Sequence, residues 1–296
     1  MQVGVIVPQG WTGEYDGWDP QRAWVRSVAL AREGETLGFE SLWVFDHFTT
    51  IPEPTDEITF ESFSTLAAIG AVTSRVLLGH LVICTGFRNP ALVAKMISTM
   101  DVQTGGRMVL GIGAGWKKDE WVAYGYGFPA TKARLAALGD HLEVIARMMG
   151  PGRATFAGRY ARVEDAINEP KPVQRPRVPI MVGGNGPEVT WRLAARYADE
   201  LNLDGLEPGQ VREALPVIAA RCEEIGRDPK SLAVSLHWWE SHLPPPGEAR
   251  ANLLADYRQA GLARIMGMVP NCVDDAEALE SFAADCRTAG AVVGGV

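Results

Sequence analysis

Asp46-His47 follows the apolar run Ser41-Leu42-Trp43-Val44-Phe45 and joins a carboxylate to an imidazole. Histidine is the side chain whose ordinary titration lies nearest neutral pH, so the pair suits proton transfer. If the run is a strand of a parallel α/β fold, the pair sits at its carboxyl end, where such folds keep their reacting groups. A single histidine is also a common structural hydrogen-bonder. The neighbouring carboxylate is what favours an acid–base role here.

Two glycine runs suit a different task. Gly111-Ile112-Gly113-Ala114-Gly115-Trp116 continues the run Met108-Val109-Leu110, so its backbone N–H groups can line an anion without side-chain obstruction. A strand-end turn packed closely on a neighbour explains the same residues equally well. A dinucleotide fingerprint does not fit, because the third glycine comes one residue early for Gly-x-Gly-x-x-Gly. Gly183-Gly184-Asn185-Gly186-Pro187 follows the apolar Pro179–Val182 and precedes a helical pattern. Pro187 suits a first helical position, which would leave N–H groups and the positive end of a helix dipole beside the loop. Two such loops in one chain favour phosphate capture over plain βα turns. The sequence holds no Gly-x-Ser-x-Gly elbow, His-Glu-x-x-His pair or P-loop to suggest another chemistry.

The elements that must position these residues alternate. Strands are predicted near Val3–Pro8, Ser41–Asp46, Val76–Ile83, Met108–Gly113, Pro179–Gly183, Ala198–Leu203, Leu232–His237 and Arg264–Val269. Helical patterns run near Arg22–Leu37, Phe60–Val72, Ala91–Gln103, Arg134–Met149, Pro187–Arg196, Pro208–Ile225, Glu248–Gln259 and Asp275–Thr288. Eight βα repeats with right-handed crossovers close into a (β/α)8 TIM barrel. Phe156-Ala157-Gly158-Arg159-Tyr160 reads as the turn of a small hairpin, and the proline-rich Glu169–Pro176 cannot be helix. Both are expected to form an insertion before the fifth strand.

Composition limits the alternatives. The 296 residues are 47% hydrophobic and 22% charged, an ordinary globular mix, and a barrel uses about 250 residues as one domain. A net charge of -8 without any Lys/Arg block lacks the electrostatic footprint of a nucleic-acid binder. Cys84, Cys222, Cys272 and Cys286 are scattered without metal-binding spacing and are expected as buried small hydrophobes. With no signal-peptide pattern and no apolar run of membrane-spanning length, the expected location is the cytoplasm, away from membranes.

Taken in order, Ser41–Phe48, Leu77-Leu78-Gly79-His80-Leu81-Val82, Phe87-Arg88-Asn89-Pro90-Ala91-Leu92-Val93-Ala94-Lys95-Met96 and Gly111–Trp116 resemble the luciferase-like monooxygenase family. The resemblance continues through Glu120, Ala123-Tyr124-Gly125, Pro170–Gln174, Ile180–Pro187 and Ala195–Glu200, and so covers roughly the first 205 residues. Within the family the sequence is most similar to oxidoreductases that use coenzyme F420, an 8-hydroxy-5-deazaflavin.

The resemblance implies a luciferase-like barrel, commonly dimeric, with the ring across the strand ends and the phosphate in glycine-rich loops. By position, His47 matches a histidine beside the ring and is the expected catalytic group. Asp46 matches a residue that contacts the cofactor. Leu81-Val82 matches a bulge where F420-binding members place a non-prolyl cis peptide behind the ring. Gly113, Ala114, Gly115 and Trp116 match one loop, and Gly183, Gly184, Asn185 and Gly186 the other. Trp116 stands where some members carry an acidic glutamate, which leaves the proton donor unassigned. A homodimer is expected from the family and from apolar helix faces around Ala91–Met100. The expected substrate is a small organic molecule met by the loops Trp11–Trp18, Thr49–Phe60 and His237–Gly247. Rival readings are a two-component monooxygenase using FMN, and a flavin- or deazaflavin-binding protein without turnover.

Overall fold

The structure, a computed structural model, describes residues 1–294. The strands are β1 (Gln2–Ile6), β2 (Ser41–Val44), β3 (Leu77–His80), β4 (Ile83–Cys84), β5 (Met108–Gly113), β6 (Ala154–Ala157), β7 (Arg162–Ala166), β8 (Ile180–Gly183), β9 (Glu200–Asp204), β10 (Ala233–Trp238) and β11 (Arg264–Gly267). The helices are α1 (Pro20–Leu37), α2 (Ser62–Val72), α3 (Pro90–Thr104), α4 (Lys118–Ala123), α5 (Thr131–Met149), α6 (Thr190–Tyr197), α7 (Pro208–Glu223), α8 (Glu248–Ala260) and α9 (Ala278–Thr288).

The strands pair in parallel in the order β3-β2-β1-β11-β10-β9-β8-β5-β4, and β3 also pairs with β5. Because β3 and β4 are two pieces of one strand, the ring is the expected barrel of eight. The third strand, predicted over Val76–Ile83, carries the bulge that the resemblance implies. It is interrupted at Leu81-Val82, whose peptide bond is cis.

Local chemistry sets the helix ends. Asp19 caps α1 by accepting from the Arg22 N–H at 3.0 Å, Pro20 follows it, and Gly38 closes the helix at φ 88°. An added Cβ at Gly38 would strike the Gly294 backbone at 2.5 Å. Asn89 caps α3 through the Ala91 N–H at 2.9 Å, ahead of Pro90.

The barrel interior is filled by Ile6, Trp43, Phe45, Leu81, Val109, Met181 and Met266, all buried. Trp43 requires glycine on two neighbouring strands, because a Cβ at Gly4 or Gly79 would meet its ring at 2.6 and 2.2 Å respectively. At the amino ends of the strands Arg264 pairs with Glu40 at 2.7 Å and with Glu200. That end is closed by ion pairs, which leaves the carboxyl ends for chemistry.

Between β5 and β8 lie α4, α5, the antiparallel β6–β7 hairpin and the proline-rich stretch, the insertion expected from the sequence. Asp101 of α3, fully buried, holds the stretch by accepting from the Val173 and Gln174 N–H groups at 2.8 and 3.0 Å.

Two expectations are corrected. Pro187 is not the first residue of a helix: it begins a turn, and α6 starts at Thr190. The apolar face around Ala91–Met100 is mostly covered, since Val93, Ala94, Ile97 and Met100 are buried within the chain, where α3 packs on α5, and Leu92 is its one exposed large apolar residue, at 52%. That face therefore gives no argument for a dimer. The four cysteines are buried, as expected.

Candidate active site

A cavity of about 620 Å³ opens at the carboxyl ends of the barrel strands. It is lined by Asp46, His47, Leu81, Val82, Gly113, Ala114, Gly115, Trp116, Gly183 and Gly184, which brings together ten of the twelve residues expected from the sequence. Asn185 and Gly186 stand outside it, exposed on the same loop. The Asn185 amide is engaged with β9, donating to the Asp204 carbonyl and accepting from the Asp204 N–H, both at 2.9 Å.

His47 and Asp46 do not act as a pair. Successive residues of an extended chain point to opposite sides, and the two side chains find separate partners. Asp46, 2% exposed, receives Arg88 through two bonds of 2.7 and 2.9 Å, the Ser62 hydroxyl at 2.8 Å and the Cys84 N–H at 2.8 Å. Its carboxylate is fully occupied in joining the ends of β2 and β4 to α2 and the segment before α3. Asp46 nonetheless lines the cavity.

The carboxylate at His47 is Glu120 of α4. His47 Nδ1 lies 2.8 Å from Glu120 Oε2. The other oxygen, Oε1, accepts from the Phe48 N–H at 2.9 Å and the Thr49 N–H at 3.1 Å, with Lys117 Nζ at 3.5 Å. Burial pushes the Glu120 carboxyl up, but the bond and charge of His47 and the two backbone donors outweigh it, so its pKa falls below the ordinary value. An ionised Glu120 can only accept, so Nδ1 carries a proton and neutral His47 presents the lone pair of Nε2. Nε2 makes no bond among the described residues.

The glycines are placed by packing. A Cβ at Gly111 would lie 1.9 Å from the His80 carbonyl oxygen, so that residue is a close-packing glycine. At Gly113 and Gly183 an added Cβ would meet the Val82 side chain at 2.8 and 3.0 Å. Val82 therefore lies between two bare backbones on the cavity floor. Gly115 takes φ 77° and Gly184 φ 130°, conformations that favour glycine. The N–H groups of Ala114, Gly115, Trp116, Asn185 and Gly186 make no hydrogen bond among the described residues. These free donors, with Val82 between two glycines, suit a ring with a phosphate tail.

Among the other lining residues, Trp11, His237 and Trp239 fall in loops expected to meet the substrate, whereas Asn202, Asp204 and Thr190 had no assigned role in the sequence reading. Trp11, Phe45, His237 and Trp239 pack together as one aromatic wall of the cavity, and Asp204, Asn202 and Thr190 also line it. A signal existed for some of them: in Glu200-Leu201-Asn202-Leu203-Asp204 polar residues alternate with apolar ones, the pattern of a strand sending polar groups to one side. Burial holds the His237 imidazole below its ordinary pKa despite Asp204 nearby. Among the described residues no cluster of His, Cys, Asp and Glu is suited to a metal, and no helix is long and apolar enough to cross a membrane.

The profile of a family described as luciferase-like monooxygenase matches residues 1–288. An F420-dependent glucose-6-phosphate dehydrogenase of Intrasporangium calvum is 34% identical over 64% of this chain and 54% of its own length. The chain thus spans about half the length of that curated relative. Among solved structures, an F420-dependent secondary alcohol dehydrogenase in complex with an F420-acetone adduct superposes with a TM-score of 0.78 at 20% identity, over 97% of this chain and 98% of that one. The coenzyme F420-dependent tetrahydromethanopterin reductase of Methanopyrus kandleri gives 0.75 at 17%, over 96% and 97%. At those identities the two structures speak for the fold.

Proposed function

The chain belongs to the luciferase-like monooxygenase family, and from that premise we propose that it is an oxidoreductase that passes a hydride between coenzyme F420 and a small organic substrate. The observation that carries the reading is the joint placement, in one cavity, of His47 hydrogen-bonded to Glu120 and of Val82 set between the bare backbones of Gly113 and Gly183. The names of the curated relatives support the choice of F420 over FMN.

Leu81-Val82 would support the ring from behind, with Gly113 and Gly183 keeping its approach clear. The free N–H groups of Ala114–Trp116 and Asn185–Gly186 would hold the phosphate. When bound, the deazaflavin supplies a carbon that accepts or gives a hydride. His47 Nε2 faces the substrate and holds the proton that accompanies the hydride, while Glu120 stabilises the charge that His47 gains. Phe48, Thr49 and Lys117 fix Glu120 in turn. The aromatic walls Trp11, Phe45 and Trp239 exclude water from the substrate side.

We also propose that each chain is one barrel domain, that the protein is cytoplasmic and that it forms a homodimer, the last of which light scattering checks: a monomeric mass at all concentrations would remove the dimer. The test of the activity is a screen of unsaturated carbonyls, alcohols and sugar phosphates for change in the deazaflavin absorbance. Turnover of at least one is expected, and its absence across the classes with bound F420 would leave a binding protein without turnover.

A further inference from the structure

Asp204 ends β9 and its side chain, 53% exposed, lines the cavity. One carboxylate oxygen accepts from Trp239 Nε1 at 2.8 Å and lies 3.4 Å from His237 Nε2. The other has no partner among the described residues. The Asn185 amide bonds on both sides of the Asp204 main chain hold the residue in place.

Every other charge at the cavity is answered. Asp46 is neutralised by Arg88, and Glu120 is met by Lys117, the His47 N–H and the Phe48 and Thr49 N–H groups. Lys117 itself is 4% exposed and spends its amine on Thr49 and Asp119 as well. His237 does not answer Asp204, because burial keeps the imidazole neutral. No cation with free donors lines the cavity among the described residues. With the free backbone N–H groups taken by the cofactor phosphate, a phosphate dianion on the substrate would find no charged donor to answer it and would meet an unpaired carboxylate. A neutral hydroxyl meets an acceptor oxygen with an unused lone pair beside Phe45 and Trp239, whose rings stack at 5.8 Å.

We infer that the substrate is an uncharged hydroxylated compound with an apolar body, one of whose O–H groups donates to Asp204, and that this residue selects against phosphorylated sugars. The inference rests on the F420 reading above and names the substrate class of that site. It separates this chain from what the names of its glucose-6-phosphate dehydrogenase relatives suggest.

The experiment is calorimetric titration of the F420-loaded protein with 1-phenylethane-1,2-diol and with glucose 6-phosphate. The diol is expected to bind at least about tenfold more tightly, the scale of one uncompensated charge near a surface. Asp204→Asn, at a half-exposed position that tolerates the change, should narrow the ratio by about tenfold by weakening the diol and strengthening the phosphate. Equal affinity for the two probes, an unchanged ratio in the variant, or no binding of either overturns the inference. F420 loading is measured first. A chain that does not load F420 fails the functional reading, whereas one that loads it and shows the wrong ratio fails only the substrate class.

Discussion

Trp11 lies flat against His47, with ring centroids 4.1 Å apart and planes 2° from parallel. Glu120 fixes one ring nitrogen and Trp11 one ring face, so the imidazole has little freedom to turn and Nε2 keeps its aim. A proton acceptor held this way acts without reorganising when charge develops.

His47→Ala removes that group. Turnover should fall by about 10²–10⁴-fold, the usual contribution of a positioned acid or base. Affinity for F420 should stay within about threefold, since less than one neutral hydrogen bond is lost to the cofactor. Single-turnover rates and fluorescence titration separate the two. Parent turnover in the variant would make His47 structural.

Glu120→Gln keeps the shape but not the charge. The bonds from Phe48 and Thr49 survive on the amide oxygen, while the ion pair with protonated His47 is lost. Turnover should drop by about tenfold or more, from loss of a charge-assisted hydrogen bond. A pH effect on stability accompanies it. The folded Glu120 pKa lies below the ordinary 4.5, so its stabilisation is present above that value and is lost as pH falls through the folded pKa. Unfolding midpoints taken from pH 6 downward should decline less steeply in the variant than in the parent, about one proton's worth. Parallel curves would show that Glu120 is not ionised as described.

Asp46→Asn tests the separation of the two neighbours. Arg88 would lose its bidentate partner and keep only Glu61 at 2.8 Å. Breaking a buried ion pair costs about 3–5 kcal/mol, so urea unfolding should show a loss near the lower figure. A change below about 1 kcal/mol, the range of exposed pairs, would mean that Asp46 is not the clamp seen here.

Gly184→Asp adds a side chain and a negative charge beside the proposed phosphate site at a residue with φ 130°. Affinity for F420 should fall by about tenfold or more, since like charge at such a loop is repelled. Retained affinity by fluorescence titration would move the phosphate elsewhere.

The barrel was legible because most of its strands carry an apolar, β-branched run bounded by turns, as in Val3–Val7 or Ile180–Val182. The break at Leu81-Val82 came from the family likeness, since nothing in the composition of Leu77–Ile83 interrupts a strand. The position of His47 was legible for the same reason as the strand that carries it. Its partner was not: Asp46 is adjacent in sequence and points away, while Glu120 is 73 residues distant and arrives only when α4 folds over the strand ends. The glycines at 113 and 183 read as phosphate donors from their type alone. That both make room for Val82 depends on three strands meeting, which spacing along one chain does not encode. Pro187 read as a helix start because proline suits that place, yet the Trp191 N–H reaches back to the Gly186 carbonyl at 3.0 Å and its indole to the Gly184 carbonyl at 3.0 Å. The turn holds its own bonds before α6 begins.

The central claim is that the cavity at the strand ends is built for coenzyme F420. Fluorescence titration of the purified chain with F420 and, separately, with FMN tests it most directly. Saturable one-to-one binding of F420 is expected, tighter than FMN by at least about 100-fold, or about 2.7 kcal/mol. Equal or tighter binding of FMN, or no saturable binding of F420, would contradict the account.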